Sequence, residues 1–278
     1  RGQSRDYPLV PSIARPIEDG SDDTFIRFEE EMVKTAKLQE PIEFANVVYP
    51  INMLAKMQHF GLPSRLLDIT ENALVALYFA CNKDFRHAGE VYCFKVEQKE
   101  IHSAYSVYAN IAAFLYSQPF TIIDIKEYID MVKYESFYPR AEREKPSEEI
   151  AERIVQVLDK PLFVLPEMLS ERERRQQAAM MVFPNDLSIN AENNIDRKHL
   201  QYFTDIISDI KFRNSPIINL IITIEGKRKN KILKELELLG ISEQFLFPET
   251  EKKCTAIKMQ VRNIFNEKSE ILLADEQI

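Results

Sequence analysis

Glycine is scarce in this chain, and its scarcity removes a class of sites. Six glycines stand among 278 residues. None falls into G-x-x-x-x-G-K-[ST] or G-x-G-x-x-G, so a phosphate cradle built from successive backbone N–H groups is not expected. G-x-S-x-G and H-E-x-x-H are missing too, which sets aside the hydrolase and zinc-protease patterns that need them. The histidines, His59, His87, His102 and His199, are scattered without the spacing of zinc ligands. Cys81, Cys93 and Cys254 sit inside apolar patterns with no Cys-x-x-Cys, as expected of buried thiols in a reducing cytoplasm. No apolar run approaches the roughly 18 residues that a membrane helix needs, the best candidate being the short Ile217–Ile224. No secretory leader is seen; the chain opens at Arg1 without a Met, and residues upstream of it are to be expected.

Positive charge is also in deficit. Lys and Arg number 36 against 44 Asp and Glu, giving a net charge of −8 and a pI near 5.3. Broad electrostatic wrapping of DNA or RNA is disfavoured, which leaves room only for a local basic cleft. Hydrophobic residues make up 45% and charged residues 29%, the balance of a globular protein with a packed core.

What is present falls into recognisable segments. Residues 25–39 read as an amphipathic helix with Phe25, Phe28, Met32 and Val33 on one side, and 42–60 as a second containing Met53, Leu54, Met57 and Phe60. Gly61 suits the left-handed end of that helix. Residues 71–82 form a nearly all-apolar helix. Strands are expected at Glu90–Val96, Leu162–Leu165 and Ile217–Ile224, the last buried on its β-branched content. Ser147–Leu158 is helical, with an imperfect capping box and acidic residues favoured by the helix dipole. A charged turn at Ser170–Gln177 runs into an apolar strand ending at Phe183. Gly226–Gly240 gives a basic-to-acidic helix and Glu251–Glu267 a last one, followed by a tail or short edge element over 268–278. Without repeats or low-complexity linkers, one α+β domain over 1–278 is expected: a mixed sheet core with several inserted and flanking helices. Its motif-bearing part is 1–96, followed by a helical insertion and C-terminal strands and helices over 97–278.

Between the second and third helical patterns lies a connection of ten residues, 61–70, pinned by Gly61 and Pro63 and crowded with polar side chains. Fixed backbone with rich side chains is where sites tend to be built. His59 is either a helix-end hydrogen bonder or a site residue. Arg65 and Asp68 are either an ion pair fixing the loop or a working pair in which Arg65 or Arg1 grips an anion. Thr70 before Glu71 and Asn72 resembles an N-cap. Arg174, Arg175, Gln176 and Gln177, at the start of a strand, are either binding side chains or a solvated face. Lys227, Arg228, Lys229 and Lys231 read as helix surface rather than a nucleic-acid contact.

The string from Gln58 to Thr70, QHFGLPSRLLDIT, resembles the core motif of the FRG domain, with Ser64 for Thr and Ile69 for an aromatic. Arg1-Gly2-Gln3 is similar to that family's aromatic-Arg-Gly signature without its aromatic. RRQQAAMMVF resembles its Gln-Gln-Gly-Ala-Phe segment with Ala178 for Gly, and Glu235–Glu249 its C-terminal end. The order of elements is in turn similar to that of ADP-ribosyltransferases. That likeness implies an NAD-cleaving or ADP-ribosyltransferase-like enzyme of the cytoplasm, a bacterial or phage toxin or defence effector with NAD as substrate. Arg1, with Gly2, would hold the phosphates or the nicotinamide ribose. Thr70 or Ser64 would support the nicotinamide pocket, and His59, Arg65, Asp68 and Gln176 would line the same site. Gln176 or Gln177 would stand at the catalytic-acid position; because Gln carries no charge, Glu173 is the other candidate for that role. The alternative is a non-catalytic module that binds a nucleotide, RNA or protein through the same residues. No membrane partner and no extensive DNA binding are expected.

Overall fold

In the computed structural model, residues 1–18, 23–118, 122–167, 170–189 and 201–248 are described. The expected helix over 251–267 and the tail beyond it lie outside them. The architecture is α+β. Strands β1 (Gly2–Gln3), β2 (Leu66–Thr70), β3 (Gly89–Phe94), β4 (Ile101–Ser103), β5 (Ile123–Asp124), β6 (Leu162–Leu165), β7 (Ala178–Val182), β8 (Asn185–Ile189), β9 (Gln201–Ile206) and β10 (Ile218–Ile224) form three sheets, β1-β3-β10, β2-β7-β6-β4 and β5-β9-β8. The first half of the chain carries helices α1 (Glu29–Gln39), α2 (Pro41–Phe44), α3 (Pro50–His59), α4 (Ala73–Cys81), α5 (Val107–Phe114) and α6 (Ile125–Val132). The second half carries α7 (Ser147–Val157), α8 (Glu171–Arg175), α9 (Asp209–Arg213), α10 (Lys229–Leu238) and α11 (Glu243–Leu246). None of these helices is long and apolar enough to cross a membrane.

The four-stranded sheet is central because both of its faces are covered. Leu66, Val164, Met180 and Val182 face one apolar cluster, shared with α1, α3, α5, α6 and α7. Their strand neighbours Leu67, Phe163 and Met181 face another, with Tyr92, Phe183 and Phe212. Side chains alternate across a strand, so a strand buried on both faces must be apolar throughout, and this is why LFVL and AAMMV read as unbroken hydrophobic runs.

Several expected elements take a different form. The polar connection is only half a loop: from Leu66 it becomes β2, because pairing with β7 offers its backbone a full ladder, Leu66 opposite Val182 through Thr70 opposite Ala178. The helix expected over 42–60 is two, each opened by a proline at its first turn, Pro41 and Pro50. The charged turn contains the short helix α8, capped by Ser170. Thr70 is not the cap of α4; Asn72 is, its Oδ1 accepting from the N–H groups of Leu74 and Val75. β10 is an edge strand and not buried, with Leu220, Ile221 and Ile222 51%, 43% and 45% exposed; β-branched content selected the strand, while burial depended on a neighbour the sequence did not specify.

Lys229 is likewise not on the surface. It is fully buried, and its ammonium donates to the carbonyls of Ser4, Lys83 and Asp84. Burial lowers its pKa. This contact ties α10 to the N-terminal segment. Lys227, Arg228 and Lys231 remain exposed, as expected.

Glycine's lack of a side chain is used where β1 crosses α4. A Cβ on Gly2 would lie 1.8 Å from the carbonyl oxygen of Ala76 and 2.7 Å from the nitrogen of Ala80, both backbone atoms that cannot step aside. Replacing Gly2→Ala is expected to cost about 1–3 kcal/mol, the scale of overpacking, read as a lower urea midpoint at unchanged m-value.

Candidate functional site

A cleft of about 270 Å³ opens where the first sheet meets the central one. Its lining brings together β1 (Arg1, Gly2), the end of α3 (Gln58, His59), β2 (Asp68, Thr70), α4 (Phe79) and α8 with the turn after it (Arg172, Glu173, Gln176). The β2–β7 register brings these together, because pairing Thr70 with Ala178 places the end of the motif beside the turn that follows α8.

Arg1 spans the two sheets. Its guanidinium donates to the backbone carbonyl of Asp68 at 2.5 Å and to Gln3 Oε1 at 3.4 Å. Burial lowers its pKa to about 10, opposed by the nearby Asp68 carboxylate, so it stays a cation at neutral pH. Asp68 is held in place by a relay. The buried Ser64 hydroxyl donates to Gln58 Oε1 at 2.8 Å, and Gln58 Nε2 donates to Asp68 Oδ1 at 2.5 Å. A second hollow of about 260 Å³ shares Arg1, Gln58 and Asp68 with the cleft and adds Arg15, whose pKa burial also lowers.

On the opposite wall, Glu173 closes a capping box. Its Oε2 accepts from the Ser170 N–H at 2.7 Å and hydroxyl at 3.0 Å, while Ser170 Oγ accepts from the Glu173 N–H. The cap fixes the direction of the carboxylate, and among the described residues Oε1 has no hydrogen-bond partner. Thr70 donates its hydroxyl to the Gln176 carbonyl at 2.6 Å and accepts from the Asn72 N–H, so it joins the walls and serves as structure as well as lining. The Gln176 amide donates to the Leu246 carbonyl, and Phe79 meets Phe247 edge to face. Arg172 lies over the ring of Phe247, 4.7 Å from its centroid.

Of the residues singled out from sequence, Arg1, Gly2, His59, Asp68, Thr70, Glu173 and Gln176 line the cleft. Three do not. Ser64 is buried one step behind it, acting on Gln58. Gln177 is exposed in a left-handed turn at φ +44°, where its carbonyl accepts from the Glu71 N–H. Arg65 pairs neither with Asp68 nor with anything in the cleft. It is buried against Glu29, donating through Nη2 at 2.5 Å and through Nε at 3.1 Å to both carboxylate oxygens, with Nη1 bound to the Phe183 carbonyl and Asn185 Oδ1. Successive side chains on β2 point to opposite faces, and Arg65, at its threshold, points inward. Arg15, Phe79 and Arg172 were missed. Arg172 sat inside a charged run that read as solvated, and only its neighbour Glu173 had a chemical reason to stand out.

The match to known families falls on the N-terminal third of the chain, where residues 1–89 fit the FRG domain. That span holds Arg1, Gly2 and the whole 58–70 motif, while α8 and its Arg172 and Glu173 lie beyond it. No curated protein and no solved structure matches the chain.

The Arg65–Glu29 pair is the internal anchor of the motif. Removing either partner leaves a buried charge unpaired, so Arg65→Ala and Glu29→Ala should each cost about 3–5 kcal/mol. The double replacement Arg65→Met/Glu29→Leu should recover most of it, and urea unfolding of the three variants measures the coupling.

Proposed function

We propose that this FRG-domain protein is an NAD-linked enzyme, ADP-ribosyltransferase-like or NAD-cleaving, of the kind used as a bacterial or phage toxin or defence effector. The observation that carries the reading is the cleft itself, where Arg1 of the first strand lines the same space as the neighbouring Arg172 and Glu173 of α8, more than a hundred residues away in sequence.

NAD enters as substrate, and the residues suit it. Guanidinium groups match phosphate oxygens in charge and in donor geometry. The Phe79 ring offers a flat heterocycle an apolar wall. The cleft and the hollow beside it share Arg1, Gln58 and Asp68 as lining, so the two lie side by side. In the reaction, the bond between the ribose carbon and the nicotinamide nitrogen breaks and nicotinamide leaves with the bonding pair. A full negative charge beside the ribose carbon stabilises the resulting cationic centre, and a carboxylate can take the proton of the incoming water or acceptor hydroxyl. Glu173 supplies both. Gln176, neutral and engaged with Leu246, keeps a wall of the cleft in place.

A binding-only reading, in which a nucleotide, an RNA end or a protein is held without turnover, draws on a specific observation. Glu173 Oε2 is already employed in the cap of α8. The two readings part in one experiment. Incubated with NAD, the protein should release nicotinamide. Glu173→Gln should lower kcat by about 10²–10⁴-fold, and Arg1→Ala should raise KM by roughly tenfold or more through loss of charge-assisted hydrogen bonds. Calorimetric binding of NAD without any release would favour the binding module, and equal release from wild type and both variants would overturn the enzyme assignment.

A further inference from the structure

A larger, mainly apolar hollow lies outside the cleft. It is a groove of about 510 Å³ between α1 and the ends of α2 and α3. Phe28, just before α1, and Met32 and Ala36 on it, spaced four apart, form one wall, and Phe44, Phe60 and Leu62 make the other. Phe28 and Phe60 are each 55% exposed, which places large aromatic surface in water with nothing covering it among the described residues.

The rim is acidic. Glu31, Glu40 and Glu43 border the groove. Glu43 is neutralised by Lys56 at 2.7 Å, whose ammonium also lies 5.7 Å from the centroid of Phe44. Glu31 and Glu40, both exposed, have no ion pair among the described residues. An apolar floor with an acidic rim repels nucleic acid and anionic lipid alike. It is complementary to an apolar stripe flanked by Lys or Arg, and its length along α1 suits a helix.

A third hollow, of about 270 Å³, lies between the groove and the cleft. It shares Glu43 and Phe60 with the groove, and Ala55, His59 and Glu173 with the cleft. We propose that the α1–α3 groove docks a basic amphipathic helical segment of a partner protein and that this seat leads past His59 to Glu173. The groove stands on its own lining and charge; the added step, that the docked protein presents a side chain for modification at Glu173, rests on the reading given under the proposed function.

The test uses two fluorescent helical peptides with leucines at every third and fourth position. One has lysine elsewhere and the other glutamate. Fluorescence polarisation should show the lysine peptide binding at least about tenfold more tightly than its acidic counterpart, with affinity falling as salt rises. Phe28→Ser, and separately Glu31→Lys/Glu40→Lys, should each weaken it by about tenfold. Leu238→Ser, on the exposed side of α10, should leave it unchanged. Equal affinity for the two peptides, or binding indifferent to the groove variants, would overturn the proposal. Nicotinamide release measured on the same samples keeps the two ideas separate. Peptide binding without NAD cleavage retains the groove and sinks the enzyme, and cleavage without peptide binding does the reverse.

Discussion

The antiparallel pairing of β2 with β7 is the constraint on which the rest depends. It joins segments more than a hundred residues apart and fixes them to the residue, Leu66 against Val182 at one end and Thr70 against Ala178 at the other. A slip of one residue would turn every side chain of β2 to the opposite face, exchanging Leu66 and Leu67 between two different apolar clusters. Burial on both faces therefore locks the register. The locked register in turn holds α8, one turn before β7, against the end of the motif. Thr70 ties the joint by donating to the Gln176 carbonyl. The cleft is a consequence of where this ladder ends.

Arg1 and Arg65 show how burial divides labour between like side chains. Arg65 is sealed inside, its donors consumed by Glu29, Asn185 and the Phe183 carbonyl. It links α1 to the central sheet and has nothing left for a ligand. Arg1 reaches across the gap between two sheets and lines the cleft while bound to a single backbone carbonyl of the opposite sheet. A guanidinium offers five donors, so such an attachment orients the group without exhausting it. Gly2 makes that position reachable, because α4 passes so close that no other residue fits.

Charge is distributed in the same economical way. The chain carries a net −8, yet its cleft gathers Arg1 and Arg172, and the adjoining hollow adds Arg15. The groove on α1 has the opposite character, apolar with acidic edges. Two neighbouring surfaces thus present contrasting chemistry, one setting Arg1 and Arg172 beside the carboxylates Asp68 and Glu173 and the other apolar with an acidic rim, with His59 and Glu173 on the lining of the hollow between them.

The sequence by itself determined the local elements and the location of the motif. Gly61 placed a helix end, apolar runs announced β6 and β7, and the 58–70 string resembled the FRG domain whose match covers residues 1–89. These are matters of propensity and short-range pattern, which a chain writes openly. Partnership was decided by tertiary structure. Arg65 and Asp68, three apart, invited a pair, but the strand geometry sends Arg65 inward to Glu29. Lys229 sat in a basic run that looked wet and proved buried, because three carbonyls from distant residues meet at its ammonium. Gln176 and Gln177, adjacent in sequence, part company at a left-handed turn that keeps one in the cleft and leaves the other exposed. β10 looked like core and lies at an edge. In each case the deciding term was a contact across long sequence separation, whose free energy depends on register and burial and leaves no periodicity to read.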